Sequence, residues 1–502
     1  MFSQMAQGLH MLFSVSSIFT IFLGVVGGII IGALPGLTAT MAVALLIPVT
    51  FGMDPAQGLA LMGGVYSGAM YGGSISAILL HTPGTPAAAA TAFDGYPMAQ
   101  KGEGGKALAV SVIASFVGGI VSTVALLFIS PILATVALSF GPAEYFLLAI
   151  LGLTTIVTLT SENLAKGLAS GVIGLLLATV GTDPITGYSR FTFGSTNLLG
   201  GIPFMPTLIG LFSVAQVLTL TESDYIVESL ENIKKKVKFI SISWKELKRL
   251  KEIIFSGSII GTVVGILPGA GATIAAFISY NTAKMRSKHP EKFGTGIPDG
   301  VAASESANNA VVGGSLVPLL TLGIPGNSVA AALLGGLMIQ GLIPGPELFK
   351  NYGDITYAFI LSLFIANIFM LLLGLFGAPY FSRIVTLSNA ILIPAIVTLS
   401  IIGSYAIRNN LFDVWLMFGF GILGYFLDKL GFSLGAIVLG LILGPIAESG
   451  LGRAMILFNN NPLMFFTRPI SLVIIALIIA FIIPPILRTK KRKVAPGGDD
   501  EE

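Results

Sequence analysis

The chain has 502 residues, 54% of them hydrophobic and 10% charged, with a formal net charge of +3 and no cysteine. A soluble domain carries about 25% charged residues, so this composition excludes a water-soluble globular protein of ordinary surface polarity. The absence of cysteine excludes disulfides, thiolate metal sites and thiol catalysis.

Apolar stretches of membrane-spanning length recur along the chain, among them 12–34, 107–133, 359–378 and 470–487. Each is apolar throughout rather than alternating, which predicts helices and not barrel strands. The first has no Lys or Arg before it and no clear small-x-small cleavage site, so it reads as a retained span. The expected fold is an all-α polytopic membrane protein with about 11–13 crossings.

The first interruption of this apolar pattern is Gly32-Ala33-Leu34-Pro35-Gly36-Leu37-Thr38-Ala39-Thr40. Proline inside a helix removes a backbone donor and clashes with the preceding turn, and glycine loosens the chain further. In lipid such a break is tolerated only where protein or a water-filled cavity satisfies the freed groups. The helix that resumes points its N-terminal amides at whatever fills that cavity, a ready anion site. The competing reading is an ordinary proline kink used for packing. A second interruption follows: Gly72-Gly73-Ser74 and Ser76 precede His81-Thr82-Pro83-Gly84-Thr85-Pro86.

A charged interval then divides the chain at 221–252, with Lys234, Lys235, Lys236, Lys238, Lys245, Lys248, Arg249 and Lys251. A second basic cluster, Arg488, Lys490, Lys491, Arg492 and Lys493, follows the last apolar stretch. The positive-inside rule places both in the cytoplasm. This divides the chain into a first membrane repeat at 1–220, the linker at 221–252, a second repeat at 253–468, a final helix at 469–487 and a tail at 488–502.

The second half returns to the same motifs. Gly265-Ile266-Leu267-Pro268-Gly269-Ala270-Gly271-Ala272-Thr273 matches the first interruption, Gly313-Gly314-Ser315 matches Gly72-Gly73-Ser74, and Pro325-Gly326 matches Pro83-Gly84. Three matches in one order point to an internal repeat. The N-terminus has no Lys or Arg before the first span, which places it outside. The first half then crosses an odd number of times and the second is inverted. Inverted repeats with broken or re-entrant helices are a feature of secondary transporters.

Candidate site residues follow from these breaks. Substrate contacts are expected at Pro35, Gly36, Thr38, Thr40, Gly73, Ser74, Ser76, Pro83, Gly84, Thr85, Pro268, Gly269, Gly271, Thr273, Gly314, Ser315, Pro325, Gly326 and Asn327. A helix over 300–312 puts Glu305, Asn308 and Asn309 on one face, which suits a cation site lining a cavity. Glu305 aligns with Gly64 and so lacks a counterpart. Asp94, Glu144, Asp183, Asp413, Asp428 and Glu448 read as groups at span ends.

No catalytic residues are expected. The three histidines, His10, His81 and His289, form no metal-binding pair, and no P-loop occurs. Gly431-Phe432-Ser433-Leu434-Gly435 has no strand-turn-helix context and no following histidine, so it reads as helix packing.

The runs from Phe51 to Pro86, from Ile266 to Thr273, from Ser304 to Asn309 and from Gly323 to Asn327 resemble the large membrane subunit of tripartite tricarboxylate transporters. The resemblance spans roughly 12–487 and is diffuse outside those motifs. It implies a small membrane subunit of about four helices and an extracytoplasmic solute-binding protein as partners. It also implies carboxylate import in a prokaryotic cytoplasmic membrane, driven by a cation gradient of Na+ or H+, with no other cofactor. A channel built on the same broken helices is the alternative reading.

Overall fold

The computed structural model describes residues 2–159, 164–222, 242–269, 271–384 and 387–480. Most of the expected linker, the end of the last span and the tail at 488–502 lie outside the described residues. The protein is an all-α polytopic membrane protein. Among the described residues, seven helices are long and apolar enough to cross a membrane, and the one β-ribbon is β1 (Gly181–Thr182) with β2 (Ser189–Arg190).

The helices of the first part are α1 (Phe2–Leu12), α2 (Val15–Ala33), α3 (Ala39–Leu46), α4 (Pro55–Leu80), α5 (Ala89–Gln100) and α6 (Gly104–Ala137). They continue as α7 (Pro142–Leu159), α8 (Leu164–Ala178), α9 (Phe204–Ile209) and α10 (Ala215–Glu222). Beyond the charged interval lie α11 (Trp244–Ile266), α12 (Gly271–Arg286), α13 (Pro298–Leu322), α14 (Ser328–Ile339) and α15 (Pro346–Asn351). The last are α16 (Gly353–Ile384), α17 (Asn389–Arg408), α18 (Leu411–Lys429) and α19 (Leu434–Leu457).

Local chemistry sets the helix starts. Asp54 precedes Pro55 and accepts from the N–H groups of Ala56 (2.9 Å) and Gln57 (3.4 Å), which starts α4. Ser243 and Glu246 form a reciprocal capping box at α11. Thr38 caps α3 and Asn327 caps α14, each through its side-chain oxygen.

Helices α4 and α13 are the centre of the fold. Every residue from Gly58 to Leu79, and every residue from Gly300 to Thr321, is buried. Neither helix has a face left for lipid, which explains how both carry polar side chains inside a membrane protein.

Glycines let the neighbouring helices approach. A Cβ added to Gly24, Gly28 or Gly32 of α2 would overlap the carbonyl oxygens of Leu61, Val65 and Ala69 of α4. In the second half a Cβ on Gly261 of α11 would overlap the Ala307 carbonyl oxygen of α13, one on Gly257 would meet Ser306 Oγ and the Ala303 carbonyl oxygen, and one on Gly265 would crowd the backbone of Val311, Gly314 and Ser315. Small residues at this spacing permit backbone contact between membrane helices. The same shift that carries Leu61 to Ala303 carries Gly84 to Gly326, Gly73 to Ser315 and Gly63 to Glu305. The packing register therefore differs by one residue from the match of the two Gly-Gly-Ser strings. Glu305 stands where the first half has Gly63, not Gly64.

The chain forms two compact units, each drawing on both sides of the charged interval. One comprises 1–138 with 203–429, and the other 139–202 with 430–502. All the helix breaks lie in the first. In the second, α19 packs on α7 and α8, with Gly440 against Gly171 and Gly174. There Glu144 is fully buried and accepts from Arg468 Nε (2.8 Å), Ser471 Oγ (2.7 Å) and the Gly141 N–H (2.8 Å). Arg190 on β2 bridges Glu448 and Asp183, whose carboxyl is held below the ordinary range chiefly by the N–H groups of Thr186 and Ile185. Ser433 caps α19, its hydroxyl accepting from the Ala436 N–H.

Replacing Gly28 or Gly261 by Leu forces α2 from α4, or α11 from α13. Overpacking costs about 1–3 kcal/mol or more, so both variants are expected to lose most of their monodisperse peak in detergent size-exclusion chromatography. Gly419→Ala, where the added methyl meets nothing within 4 Å, is expected to behave like the parent chain.

Candidate functional site

The first break spans Leu34–Thr38, where Gly36 takes a left-handed φ of 84°. The third spans Leu267–Gly269, where Gly269 does the same at 77°. A Cβ at either position would strain the backbone, so these turns require glycine. The second break begins at His81, which ends α4 in the left-handed region and stacks its ring on Tyr96 at 4.6 Å. The fourth begins at Gly323, which ends α13 in the left-handed region.

The four breaks are joined to one another. At the first and second, Gly84 lies so close to Gly32 that a Cβ would overlap the Gly32 carbonyl oxygen, while its N–H donates to Gly73 O at 3.2 Å. The third and fourth meet where the Gly269 N–H donates to Gly326 O at 2.7 Å. The first and fourth meet where the Thr40 and Ser328 hydroxyls are 3.0 Å apart. The second and third meet where α12 packs on the turn Pro86–Ala88 that leads into α5. From there α3 and α14 run on together, and Gln340 Nε2 donates to Thr50 O at 2.8 Å. The N-termini of α3, α14 and α12, with the turn opening α5, thus all start from the joined breaks.

Tyr66 is a residue of this cluster that the sequence did not single out as a contact. Its hydroxyl lies 3.0 Å from Ser315 Oγ and accepts from Asn327 Nδ2 at 2.9 Å, tying α4 to the fourth break. Thr85 Oγ1 is buried without a hydrogen-bond partner. Ser76 Oγ reaches Gly73 O at 3.4 Å and lies beside Gly84. Pro35, Pro83, Pro268 and Pro325 form the turns themselves, and Gly271 and Thr273 fall in the first turn of α12.

Some expected contacts turn elsewhere. Ser74 Oγ bonds Ser111 Oγ at 2.7 Å and Tyr71 O at 2.8 Å, so it faces α6. Gly73 sits under Thr85, and Gly314 packs on Thr262 and Gly265 of α11. Gly314 serves helix contact through the lack of a side chain, whereas Gly73 stays at the second break, where its carbonyl accepts from the Gly84 N–H.

Glu305, Asn308 and Asn309 do share one buried face of α13. Thr91 Oγ1 on α5 donates to Glu305 Oε1 at 2.5 Å, and Ser115 Oγ on α6 donates to Oε2 at 3.0 Å. Asn309 Nδ2 donates to the same Ser115 at 2.8 Å, Asn308 Nδ2 donates to Met70 O at 3.2 Å, and Ser304 Oγ lies 2.9 Å from Thr91. The amide oxygens of Asn308 and Asn309 are buried without partners. Thr91 and Ser115 escaped the sequence reading because their spacing from Glu305 carries no periodic signal.

Three other carboxylates expected at span ends are wholly buried and paired, with Glu144 and Asp413 in the first turns of α7 and α18. Glu144 is described above. Asp413 pairs with Arg408. Asp94 on α5 accepts from Tyr280 Oη (2.8 Å) and from the N–H groups of Gly294 (3.0 Å), Gly296 (2.8 Å) and Ile297 (3.0 Å). Burial is affordable because each has found donors to replace water.

The family model of the tripartite tricarboxylate transporter TctA family matches residues 18–439. A relative from Agrobacterium vitis, a 52.8 kDa protein named for the 3′ region of ttuC′ in TAR-I, is 40% identical over 94% of both chains. A second from the same organism, named for the corresponding region of TAR-II, is 39% identical over 47% of this chain and 98% of its own. No solved structure matches.

Asp94→Ala leaves three backbone donors without their acceptor, at about 1–3 kcal/mol each. Deuterium exchange at Gly294, Gly296 and Ile297 is expected to speed up at least tenfold, with a smaller rise in Asp94→Asn, which keeps one acceptor oxygen.

Proposed function

The chain belongs to the tripartite tricarboxylate transporter TctA family, and from that premise we propose that it is a secondary carrier importing small organic carboxylates. The observation that carries this reading is the junction of four helix breaks within one compact unit. Several helix N-termini start there, and each presents free N–H groups and the positive end of its dipole. No arginine stands in the break motifs, so these amides, with the hydroxyls of Thr40, Ser328, Ser315 and Tyr66, hold the carboxylate groups.

In this reading the basic start of α11 lies in the cytoplasm. Lys106 at the start of α6 pairs with Glu246 at 2.5 Å, and Lys101 Nζ at the end of α5 donates to Thr295 O at 2.6 Å, so these ends share that side. Helix α11 enters from the cytoplasm and α12 returns to it with Lys284 and Arg286. Helices α2 and α3 make the corresponding hairpin from outside. The two halves are then inverted repeats, with α3 and α14 facing the outer pathway and α5 and α12 the inner one.

A small membrane subunit and an extracytoplasmic binding protein complete the system in the cytoplasmic membrane. A cation gradient drives import, with Glu305, Asn308 and Asn309 as the coupling group.

Proteoliposomes holding this chain and its small subunit test the reading, with radiolabelled citrate as probe and binding protein supplied outside. Uptake is expected to saturate, to need an inward cation gradient and to fall more than tenfold in Thr40→Val combined with Ser328→Ala. Flux that rises linearly with citrate and follows voltage alone would instead identify a channel.

A further inference from the structure

We propose that Glu305, Asn308 and Asn309, with the hydroxyls of Thr91 and Ser115, bind one dehydrated alkali-metal cation at a site separate from the carboxylate. The inference rests on the carrier reading for the role of the ion, and on geometry for its place and class.

Glu305 is wholly buried, and its hydrogen-bond partners in the structure are neutral. The amide nitrogens of Asn308 and Asn309 are both engaged, with Met70 O and Ser115 Oγ, which fixes the orientation of their amides. Their oxygens, one turn along the helix from Glu305, are left buried and unpartnered. Unpaired buried acceptors are uncommon in native structures and call for an explanation. Two beside one buried carboxylate share an explanation in a cation that all three groups ligate.

The donor set identifies the class of ion. Every donor is a hard oxygen, and there is no sulfur or imidazole in the group, which disfavours transition metals. Among the described residues no group of three His, Cys, Asp or Glu could hold a metal, so the multi-carboxylate cage usual for calcium is missing. One carboxylate balances one positive charge. A proton would neutralise Glu305 alone and leave the oxygens of Asn308 and Asn309 as they are. An alkali cation uses all three, and hydroxyl rotors at Thr91 and Ser115 can turn their lone pairs toward it.

Place follows from helix geometry. Ten residues of α13 separate Glu305 from Ser315 at the break cluster, roughly 15 Å at the α-helical rise. Metal–oxygen ligand distances are about 2–2.6 Å, so the ion does not touch the carboxylate. It bridges α13 to α5 and α6, and α5 follows directly from the second break. Ion binding therefore sets the position of helices whose other ends form the carboxylate site.

The test measures ion binding by the purified full-length chain without any carboxylate. Radioactive sodium binding and thermal stability are read against sodium, lithium, potassium and choline chlorides at constant ionic strength. Saturable sodium binding at one ion per chain is expected, weakened at least tenfold in Glu305→Gln and in Asn309→Leu. Ser115→Ala serves as a second variant if either of these fails to elute as a folded peak, and Gly419→Ala binds as the parent does. Absence of saturable binding, binding unchanged in the variants, or binding that appears only with citrate overturns the proposal. So does sodium-free uptake driven by a pH gradient, which assigns Glu305 to a proton. Citrate exchange in proteoliposomes, run in parallel, separates the two ideas: exchange without ion binding removes this inference and leaves the carrier, whereas lost exchange removes the carrier.

Discussion

Inside a bilayer every backbone N–H and C=O must find a partner in the protein or in enclosed water, and the four helix breaks exist under that constraint. A lone break would leave its freed groups facing hydrocarbon. Here each break lies against another: Gly84 on Gly32, the Gly269 N–H on Gly326 O, and Thr40 beside Ser328. Joined in this way the breaks satisfy part of one another. The same constraint explains α4 and α13, which are buried on all sides so that interrupted and polar sequence meets only protein.

Close joining of breaks requires close helices, and glycine supplies the closeness. The stripe Gly24, Gly28, Gly32 and its counterpart Gly257, Gly261, Gly265 bring α2 to α4 and α11 to α13 at backbone contact. Each stripe ends at the glycine that opens a Leu-Pro-Gly break, so one helix face sets both the packing and the depth of the break. A wider separation at Gly32 or Gly265 would part Gly84 and Gly326 from the backbone they rest on. Packing and site are in this sense one arrangement.

Much of this was legible in the sequence because the signals are local. Proline and glycine inside apolar runs mark breaks wherever they occur, and helical periodicity alone put Glu305, Asn308 and Asn309 on one face. What lay beyond reach was pairing across long separations. Thr91 sits among alanines and Ser115 in an ordinary small-residue helix, and nothing near either shows that Glu305 is its acceptor. Tyr66 gave no sign of bonding Ser315 and Asn327. The one-residue offset between the halves was hidden because the Gly-Gly-Ser strings match by identity while the helices match by contact. Asp94 read as a span-end group because its donors are backbone amides, which no side-chain pattern records.

The offset has a chemical consequence. With contacts as the guide, Asn308 stands where the first half has Tyr66, Asn309 where it has Ser67, and Asn327 where it has Thr85. Polar groups therefore occupy corresponding places in both halves but reach different partners. In the first half Tyr66 reaches the fourth break, so that position serves the break cluster. In the second half Asn308 and Asn309 stay beside Glu305, and the carboxylate has only Gly63 as its opposite number. At Gly63 a Cβ would crowd Phe359 and Leu363 of α16, so the first half fills this place with apolar packing. The corresponding positions thus hold apolar packing in one half and a buried carboxyl group in the other. A carboxylate at both positions would bury two such groups, and the chain buries one there.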